Sequence, residues 1–480
     1  MELFIILASL LLAVAAIGLL RSRALQELIA GAASLALFLG AAAIVRKVAS
    51  GGTYSPAPLF AVDALAAIVL AIIAVIGLAA TAYSWQYFRQ ETEKGIVGPS
   101  RVRQYFILLN VFLAAMVFAV TVNSPILAWI SIEVTTLSTA LLISFYNKPS
   151  TIEAAWKYLI ISSIGLLMGF FGTLLYFTAF GTAAAQGFVG WPDLIAGAGQ
   201  LDPLIAKAAF IFVLIGYGTK VGFVPMHTWK PDVYSKAPAP LGALFSGALL
   251  PVAFITILRF KAITDIAAGP DFSRNLFVIF GVMSMAIPAA IILTVRNYKR
   301  LLAYSSIENA GLMALGFGFG GLGAFAAVLH MIYHSLIKAA LFFLSGNFLL
   351  KYHSAKIRSV RSALAVMPAT AVLFLVGFFA ITGAPPFGIF FSKILLLSAG
   401  LATRPVFTAA AALLSVVLFV GFFKQVSAMT FGARPEEIPA EKENVWLIIP
   451  PLALILLTLY LSFALPAFLQ TLIREAIRNF

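Results

Sequence analysis

Residues 204–226 read LIAKAAFIFVLIGYGTKVGFVPM, an apolar run that carries Lys220 beside a glycine- and proline-rich break. Residues 383–393, GAPPFGIFFSK, show the same combination with Lys393. A charge at the centre of a bilayer costs roughly 2.5–3.5 kcal/mol on insertion scales, so it is seldom present without a function. A broken helix at that depth exposes backbone groups that need protein or water as partners. A buried charge beside a buried break therefore predicts an ion path.

The composition of the whole chain is that of a membrane protein. Of the 480 residues, 62% are hydrophobic and only 10% are charged, which excludes an ordinary soluble domain. Apolar runs of about 18–25 residues recur along the chain, and each is long enough to span a bilayer. The first run, residues 2–20, lacks a basic n-region and a small-residue cleavage site, so we expect a retained helix and not a cleaved signal peptide.

These runs predict an all-α polytopic membrane protein with about 14 transmembrane helices. The predicted spans lie near 2–20, 25–45, 59–83, 104–121, 124–146, 155–180, 204–226, 238–258, 272–294, 301–321, 323–350, 364–394, 404–428 and 445–470. We expect four segments, namely an N-terminal three-helix segment (1–103), a five-helix repeat (104–258), a second five-helix repeat (272–428) and a C-terminal helix with a short tail (445–480).

A weak internal repeat supports this division. WKYLIISSIG and IKAALFFLSG each carry a lysine, Lys157 and Lys338, eight residues before a glycine. They fall in spans six and eleven, and the two broken spans, seven and twelve, are also five apart. An odd number of spans in each unit inverts the second copy, and inverted repeats with discontinuous helices are typical of transporters. Lys220 and Lys393 are then expected at corresponding places in the two units.

The basic residues predict the orientation of the chain. The net charge of +14 comes mainly from lysines and arginines in loops and at span ends. More of them lie on the side reached after odd-numbered spans, for example Arg21, Arg101, Arg296 and Arg358, so we place this side in the cytoplasm and both termini outside. Loop charge of this kind explains the basic balance without nucleic acid as a partner.

No motif predicts a redox centre or an enzymatic site. The chain has no cysteine, which excludes disulfides, thiolate-bound iron–sulfur clusters and thiol catalysis. No Walker motif, GxGxxG loop or Ser–His–Asp layout is visible. HTWKPDVYSKAPAP (227–240) could be mistaken for a catalytic loop, but it reads as a rigid, proline-stiffened connection with a gating role. We therefore predict no catalytic residue, no cofactor and no metal in this chain.

Ionisable residues inside the spans are the candidates for ion transfer. Glu133, deep in span five, is either a structural hydrogen-bond partner or a carboxylate that controls the protonation of Lys220. Glu308 in span ten lies about 12 Å deeper than the basic start of its span, at 1.5 Å per residue. Lys157 lies four residues after Glu153, a spacing that fits a surface ion pair as well as a path residue.

Span eleven carries three polar residues on one face. In HMIYHSLIK, spacings of four bring His330, His334 and Lys338 to the same side of a helix. Histidine titrates near neutrality, so the pattern predicts a proton wire, with packed polar groups or a metal site as alternatives. Lys393 has no acid close to it in the sequence, so we expect a partner in space or a water-filled cavity.

Four motifs resemble those of one family of membrane proteins. KVGFVPMHTWKPDVYSKAPAPLGALFSG (220–247), KRLLAYSSIENAG (299–311), HMIYHSLIKAALFFLSG (330–346) and GAPPFGIFFSK are similar to the antiporter-like subunits of respiratory complex I. That family includes Mrp-type sodium/proton antiporter subunits and the membrane arms of group 4 nickel–iron hydrogenases. The resemblance covers roughly residues 60–430, and YSSIE with the compact length is most similar to the hydrogenase-4 component F branch.

The resemblance implies a proton path through the membrane. Its residues in this chain would be Glu133, Lys157, Lys220, Glu308, His330, His334, Lys338 and Lys393. Glu133 and Lys220 match the family's gating pair, and Lys393 matches the lysine on the exit side. Lys338 and the two histidines match the central relay. Redox chemistry in neighbouring subunits would drive proton transfer along this path.

Two departures from the family pattern matter. Many relatives carry a lysine in span eight where this chain reads GALLPVAF, with Pro251 at that point. The step from Lys220 to span eleven would then need water or another side chain. Many hydrogenase-type relatives read SIEH where this chain has Asn309. Asparagine cannot change charge, so any relay role there passes to Glu308 or is lost.

The sequence thus predicts a proton-translocating, or sodium-translocating, subunit of a membrane-bound redox complex, with no redox centre of its own. Its expected partners are other membrane subunits, peripheral subunits with iron–sulfur clusters, and lipid. We expect it in the inner (cytoplasmic) membrane of the cell. The alternatives are an Mrp-type cation/proton antiporter subunit, a subunit of a complex I type NADH- or ferredoxin-quinone oxidoreductase, and a structural arm that conducts nothing.

Overall fold

A computed structural model describes residues 1–178, 189–431 and 442–480, and most of these residues are helical. The helices are α1 (Glu2–Leu19), α2 (Arg23–Gly51), α3 (Ala64–Glu93), α4 (Pro99–Thr121), α5 (Pro125–Ile143), α6 (Pro149–Tyr176), α7 (Trp191–Gly197), α8 (Pro203–Val221), α9 (Trp229–Lys236), α10 (Ala239–Leu244), α11 (Leu250–Ala268), α12 (Pro270–Ile291), α13 (Tyr298–Phe319), α14 (Leu322–Tyr352), α15 (Ala363–Val366), α16 (Pro368–Thr382), α17 (Gly388–Thr403), α18 (Pro405–Thr430), α19 (Val445–Phe463) and α20 (Ala467–Ala476). Two strands, β1 (Tyr54–Ala57) and β2 (Phe60–Val62), pair antiparallel between α2 and α3.

Twelve helical segments among the described residues are long and apolar enough to cross a membrane. Many of their exposed side chains are apolar as well, and Leu12, Leu413 and Val416 are 60–68% exposed. Apolar surface on this scale is unfavourable in water, so lipid is the solvent that fits it. The chain is a multi-pass, all-α membrane protein, as its composition predicts.

Two predicted spans differ from these twelve segments, although both are helical. Predicted span ten, 301–321, is α13, whose 22 residues include the polar run SSIEN. Predicted span twelve, 364–394, is divided into α16 and α17, of 15 and 16 residues, because the GAPPFG stretch interrupts the helix. The last residues of predicted span six, 179–180, lie outside the described residues.

Helix α14 forms the centre of the molecule. It packs against α3, α10, α13, α16, α17 and α19, and its apolar stretch is buried on all sides. A helix that is apolar all round belongs in such a position. Because α14 has no lipid-facing side, His330, His334 and Lys338 are held inside protein.

Helices α6 and α8 approach closely because glycines line their contact. A Cβ added at Gly172 would lie 2.7 Å from the carbonyl oxygen of Ala209, and one at Gly216 would collide with the backbone of Gly169. Small residues allow membrane helices to pack backbone against backbone. This contact holds the end of α8, with Lys220, against the polar side chains of α5 and α6.

The span that contains Pro251 has a π-helical turn. Residues Phe245–Leu249 form this turn between α10 and α11, directly before Pro251. Proline has no N–H to donate to the carbonyl four residues earlier, which favours a widened turn at this place. The turn lies against α14, since a Cβ added at Gly247 would be 2.7 Å from the carbonyl oxygen of Ser335.

Candidate functional site

Two helices are interrupted at a glycine, as the sequence predicts. Helix α8 ends at Val221 and Gly222 follows with φ +83°, whereas α16 ends before Gly383, which has φ +87°. Such φ values favour glycine because it has no Cβ. Each break continues into a second helical segment, α9 or α17. Lys220 precedes its break and Lys393 follows the other, so the expected correspondence between these two lysines is wrong.

Lys220 lies in the last turn of α8 and is only 1% exposed. Its Nζ donates to Thr136 Oγ1 (2.7 Å) and to the hydroxyl of Tyr158 (2.6 Å). The same Nζ lies 4.6 Å from the centre of the Tyr158 ring. The Tyr158 hydroxyl also contacts Thr139 Oγ1, at 2.8 Å. Hydroxyls and an aromatic ring therefore hold the ammonium in place of water.

Glu133 reaches Lys220 through Thr136. Ser163 Oγ donates to Glu133 Oε1 (2.8 Å), and Thr136 Oγ1 lies 3.4 Å from Glu133 Oε2. Within the described residues, Glu133 and Lys220 form no ion pair under 4 Å. The two residues of the predicted pair are close, and the Thr136 hydroxyl lies between them, where it can accept from the ammonium and donate to the carboxylate.

Lys157 lies at the surface, apart from these buried residues. Its side chain is 49% exposed and pairs with Glu153 (2.6 Å) and Asp232 (3.5 Å). All three line a surface cavity of about 1000 Å³. The basic residues that line the same cavity are Lys236, Arg296, Arg300, Lys356, Arg358 and Arg361. The surface ion pair, one of the two interpretations of the Glu153–Lys157 spacing, fits these contacts.

Lys393 pairs with an acid from another helix. Its Nζ lies 3.5 Å from Glu308 Oε1 on α13 and donates to the carbonyl oxygen of Thr382 (3.1 Å). The Lys393 and Glu308 side chains are only 12% and 7% exposed. The partner in space that Lys393 requires is thus Glu308. Removing either member would leave an uncompensated charge in a largely buried place.

His330 has a hydrogen-bond partner at each ring nitrogen. Nε2 lies 2.9 Å from Asn309 Oδ1, and Nδ1 lies 3.0 Å from Ser392 Oγ. The Asn309 amide nitrogen donates to the carbonyl of Ser305 (2.6 Å), so Nε2 must carry the hydrogen toward Oδ1. The Ser392 hydroxyl can donate to Nδ1 of a neutral ring, or donate to the Ile389 carbonyl (3.0 Å) and accept from an imidazolium. Both protonation states of His330 therefore keep their hydrogen bonds.

Asn309 connects this histidine to the Glu308–Lys393 pair. Its amide nitrogen lies 3.4 Å from Glu308 Oε2, while its oxygen accepts from His330. Asparagine cannot titrate as a histidine would, but it keeps a hydrogen-bonded connection. The sequence-based expectation considered only transfer of the role to Glu308 or its loss, and the structure adds a bridging position.

His334 and Lys338 continue along α14. The ring of His334 lies nearly parallel to that of His330, with centres 6.4 Å apart and 17° between the planes. Neither ring nitrogen of His334 has a hydrogen-bond partner among the described side chains and backbone. Lys338 Nζ donates to the carbonyl oxygen of Leu302 on α13 (2.9 Å). Both side chains are fully buried.

The sequence analysis missed several buried ionisable residues, among them two lysines, a glutamate and a tyrosine. Lys230 and Lys299 are each 1% exposed, and each donates to a backbone carbonyl. Glu91 is 3% exposed and accepts from the hydroxyl of Tyr146 (2.7 Å). The fourth is Tyr158, which directly follows Lys157. For the three charged residues, a charge flanked by aromatic and apolar residues was the available signal, but they lie at span ends or in a connection. Tyr158 is uncharged and gave no such signal.

The described residues contain no group of three or more His, Asp or Glu side chains that could hold a metal ion. His330 of α14 forms its hydrogen bonds with serine and asparagine side chains, and not with carboxylates. What these side chains can do chemically is exchange protons, because ammonium, imidazole, carboxylate and hydroxyl groups alternate along the buried region.

Comparison with known proteins identifies relatives that cover most of the chain. A family model described as NADH:quinone oxidoreductase/Mrp antiporter, transmembrane, matches residues 123–419. A hydrogenase-4 component F homolog of Methylacidiphilum infernorum is 35% identical over 385 residues, which cover 78% of this chain and 80% of that protein. The NADH-quinone oxidoreductase subunit L of Mycobacterium tuberculosis is 30% identical over 393 residues, or 79% of this chain. The matched part covers 59% of the length of that subunit.

A solved structure shows the same fold. A chain in the structure of the membrane-bound sulfane sulfur reductase, an archaeal respiratory membrane complex, aligns with a TM-score of 0.88 over 99% of this chain and 97% of its own. Its sequence identity is 21%, so this likeness concerns the fold alone. The family model covers more than half of the chain, and the component F homolog is similar over most of its length. The chain therefore belongs to the transmembrane NADH:quinone oxidoreductase/Mrp antiporter family.

Proposed function

We propose that this chain is a proton-translocating subunit of a membrane-bound redox complex. The observation that carries the proposal is a set of buried ionisable side chains between the two helix breaks. Lys220 lies at the first break, His330 and Lys338 lie on the central helix, and the Glu308–Lys393 pair lies at the second break. Such residues are costly in a membrane protein, and they mark ion pathways and proton relays.

The proposed architecture has about 14 spans, because α13 and the interrupted pair α16–α17 would cross the membrane beside the twelve longer segments. Residues 104–258 and 272–428 would form two inverted five-helix repeats. Two breaks, each with a glycine at positive φ and a helical segment on either side, support this arrangement. Discontinuous helices at corresponding places are typical of inverted-repeat transporters.

We propose that these groups act in series as one path. Glu133 would stabilise the charged form of Lys220 through Thr136, so a change in this contact would release the proton. His330, His334 and Lys338 would carry it through the centre, and Glu308 with Lys393 would deliver it to the exit. Lys157 would act only at the entrance, at the surface cavity that it shares with Asp232.

The side chains favour protons over sodium. A sodium ion would need several oxygen ligands gathered around the breaks, comparable to those of other hard cations. The buried region instead presents the ammonium groups of Lys220, Lys338 and Lys393, which repel a metal cation. Lysine exchanges a proton readily when it is removed from water.

Redox chemistry would reside in other subunits. The two relatives described above are named as a hydrogenase-4 component homolog and an NADH-quinone oxidoreductase subunit. We therefore propose membrane subunits and peripheral iron–sulfur subunits as partners, with no cofactor in this chain. The location we propose is the inner (cytoplasmic) membrane, with both termini outside and lipid around the helices.

Proton flux in sodium-free vesicles tests this function. The complex is purified through a tag on this chain and reconstituted around a pH-sensitive dye, and a potassium diffusion potential is imposed with valinomycin. We expect proton entry at the same rate with and without sodium, above the rate of protein-free vesicles. Flux that requires sodium would indicate a cation antiporter, and flux equal to that of empty vesicles would indicate a structural arm. Either result contradicts the proposal.

A further inference from the structure

Lys230 is a buried lysine that the path described so far does not use. It lies in the first turn of α9, directly after the first break. Its Nζ donates to the carbonyl oxygen of Val221, the last residue of α8. The side chain crosses Gly222, where an added Cβ would lie only 2.7 Å from Lys230 Cε. Glycine at the break thus makes room for the lysine as well as for the turn.

No carboxylate among the described residues forms an ion pair with Lys230 within 4 Å. A buried ammonium that lacks a carboxylate partner is costly. Ionisable residues inside a membrane are therefore rare, and those that occur commonly mark ion pathways or proton relays. A purely structural donor to the Val221 carbonyl would not need to carry a charge.

Lys230 is the counterpart of Lys393. Lys393 lies on the half-helix after the second break and donates to the carbonyl of Thr382, the last residue of α16. Lys230 lies on the half-helix after the first break and donates to the last residue of α8 in the same way. The two breaks therefore share one arrangement. In each, a lysine donates to the carbonyl oxygen of the last residue of the preceding half-helix. Lys220 instead lies before its break, in the last turn of α8.

An aromatic side chain of α9, Tyr234, lies between Lys230 and the central helix. Tyr234, one turn further along α9, lies with its ring centre 5.9 Å from Lys230 Nζ and 5.3 Å from the ring centre of Phe342 on α14. The half-helix α9 thus packs against α6 and α13, and its Tyr234 contacts the central helix α14.

The span that contains Pro251 offers hydroxyls in this region but no lysine. Ser246 Oγ lies 2.7 Å from Ser306 Oγ, which donates to the carbonyl of Leu302 (2.9 Å). The same carbonyl accepts from Lys338. Hydroxyls can relay a proton, but they do not hold a positive charge near neutral pH. A charge-carrying group is therefore missing from this part of the span, since its lysine, Lys261, lies nearer the other end and pairs with Asp265.

We propose that Lys230 carries the proton between Lys220 and the His334–Lys338 cluster, in place of a lysine in span eight. This inference rests on the proposed function. One proton-carrying residue of the path would then lie on α9, the half-helix after the break, and not on a continuous span. Any movement of α9 would then change the contact between Lys230 and the Val221 carbonyl, and with it the transfer.

Variants of the full chain, reconstituted with the complex as above, test this inference. Lys230→Met keeps the length of the side chain without the charge, whereas Lys230→Arg keeps the charge and the donors but does not release its proton. We expect each to lower proton flux per assembled complex by about tenfold or more. Lys207→Met changes a lysine of the preceding half-helix, α8, away from the break and outside the surface cavity, and is expected to keep wild-type flux. Lys220→Met is measured in parallel as the test of the proposed function.

The outcomes separate the two claims. Wild-type flux in Lys230→Met or Lys230→Arg, with loss of flux in Lys220→Met, overturns the role of Lys230 and leaves the proposed function standing. Wild-type flux in all of these variants overturns both. If the complex does not assemble with Lys230→Met, the flux of the complex with Lys230→Arg alone tests the role of Lys230. If neither assembles, Lys230 is required for folding and the inference is overturned.

Discussion

Replacement of Lys220 by methionine is expected to lower proton flux per assembled complex by at least about tenfold, a modest loss for a step that needs positioned proton transfer. Methionine fills a similar volume, but it cannot donate to Thr136 and Tyr158, which hold the Lys220 ammonium at 2.7 and 2.6 Å. Dye-reported proton entry into reconstituted vesicles, divided by the amount of assembled complex, measures the effect.

The matched control for this variant is Lys207→Met. Lys207 lies on the same helix, α8, near its other end, with its Nζ 5.7 Å from the ring centre of Phe272. It is not part of the buried path, so we expect flux close to that of the wild type. Equal flux in the Lys220 and Lys207 variants would show that Lys220 only fills space at the break.

Glu308→Gln is expected to have the second large effect, again a loss of flux of about tenfold or more. Glutamine has nearly the shape of glutamate, but it removes the charge that lies 3.5 Å from Lys393 Nζ. Lys393 would then have only uncharged acceptors, such as the Thr382 carbonyl, and a buried charge that loses its counterion is strongly destabilising. Proton flux and the midpoint of thermal unfolding of the purified complex are both measured.

A surface pair of the same chemistry provides the control. Glu2 pairs with Lys47 at 2.5 Å, with side chains 24% and 53% exposed. Exposed ion pairs contribute little to stability, so Glu2→Gln should change neither flux nor the unfolding midpoint measurably. If Glu308→Gln behaves like Glu2→Gln in both measurements, Glu308 is not part of the path.

Much of the fold could be predicted because apolar run length and the positions of Gly and Pro are local properties of the sequence. Predicted span twelve divides into α16 and α17 at GAPPFG, where proline and a glycine with positive φ interrupt the helix. The π turn before Pro251 was not predicted. A proline inside an apolar run indicates a disturbed helix, but whether the helix kinks, ends or widens depends on the packing of its neighbours.

The face of α14 could be predicted from spacing alone, whereas contacts between helices could not. The Glu308–Lys393 pair joins residues 85 positions apart on α13 and α17. Thr136 and Tyr158, which hold Lys220, are uncharged residues in apolar spans and carry no signal of their own. The sequence pointed to Glu133 as a direct partner because it is the acid in a neighbouring span, but a hydroxyl between them is visible only in three dimensions.

The lysine after the first break shows why local context can mislead. Lys230 lies in HTWKPDV, which has the prolines and polar residues of a connecting loop. In the structure this segment is the half-helix α9, and the lysine is 1% exposed. Its burial follows from the return of the chain into the protein after Gly222, which the composition of the segment does not reveal.

The most direct test of a single path in series is a double-variant cycle of proton flux. Wild type, Lys220→Met, Lys393→Met and the double variant are reconstituted at equal amounts of assembled complex, in vesicles whose background leak is measured separately. If both lysines serve one path, the double variant should conduct at about the rate of the slower single variant, because a blocked path is not blocked twice. A double variant whose loss of flux equals the product of the two single losses would contradict the series path.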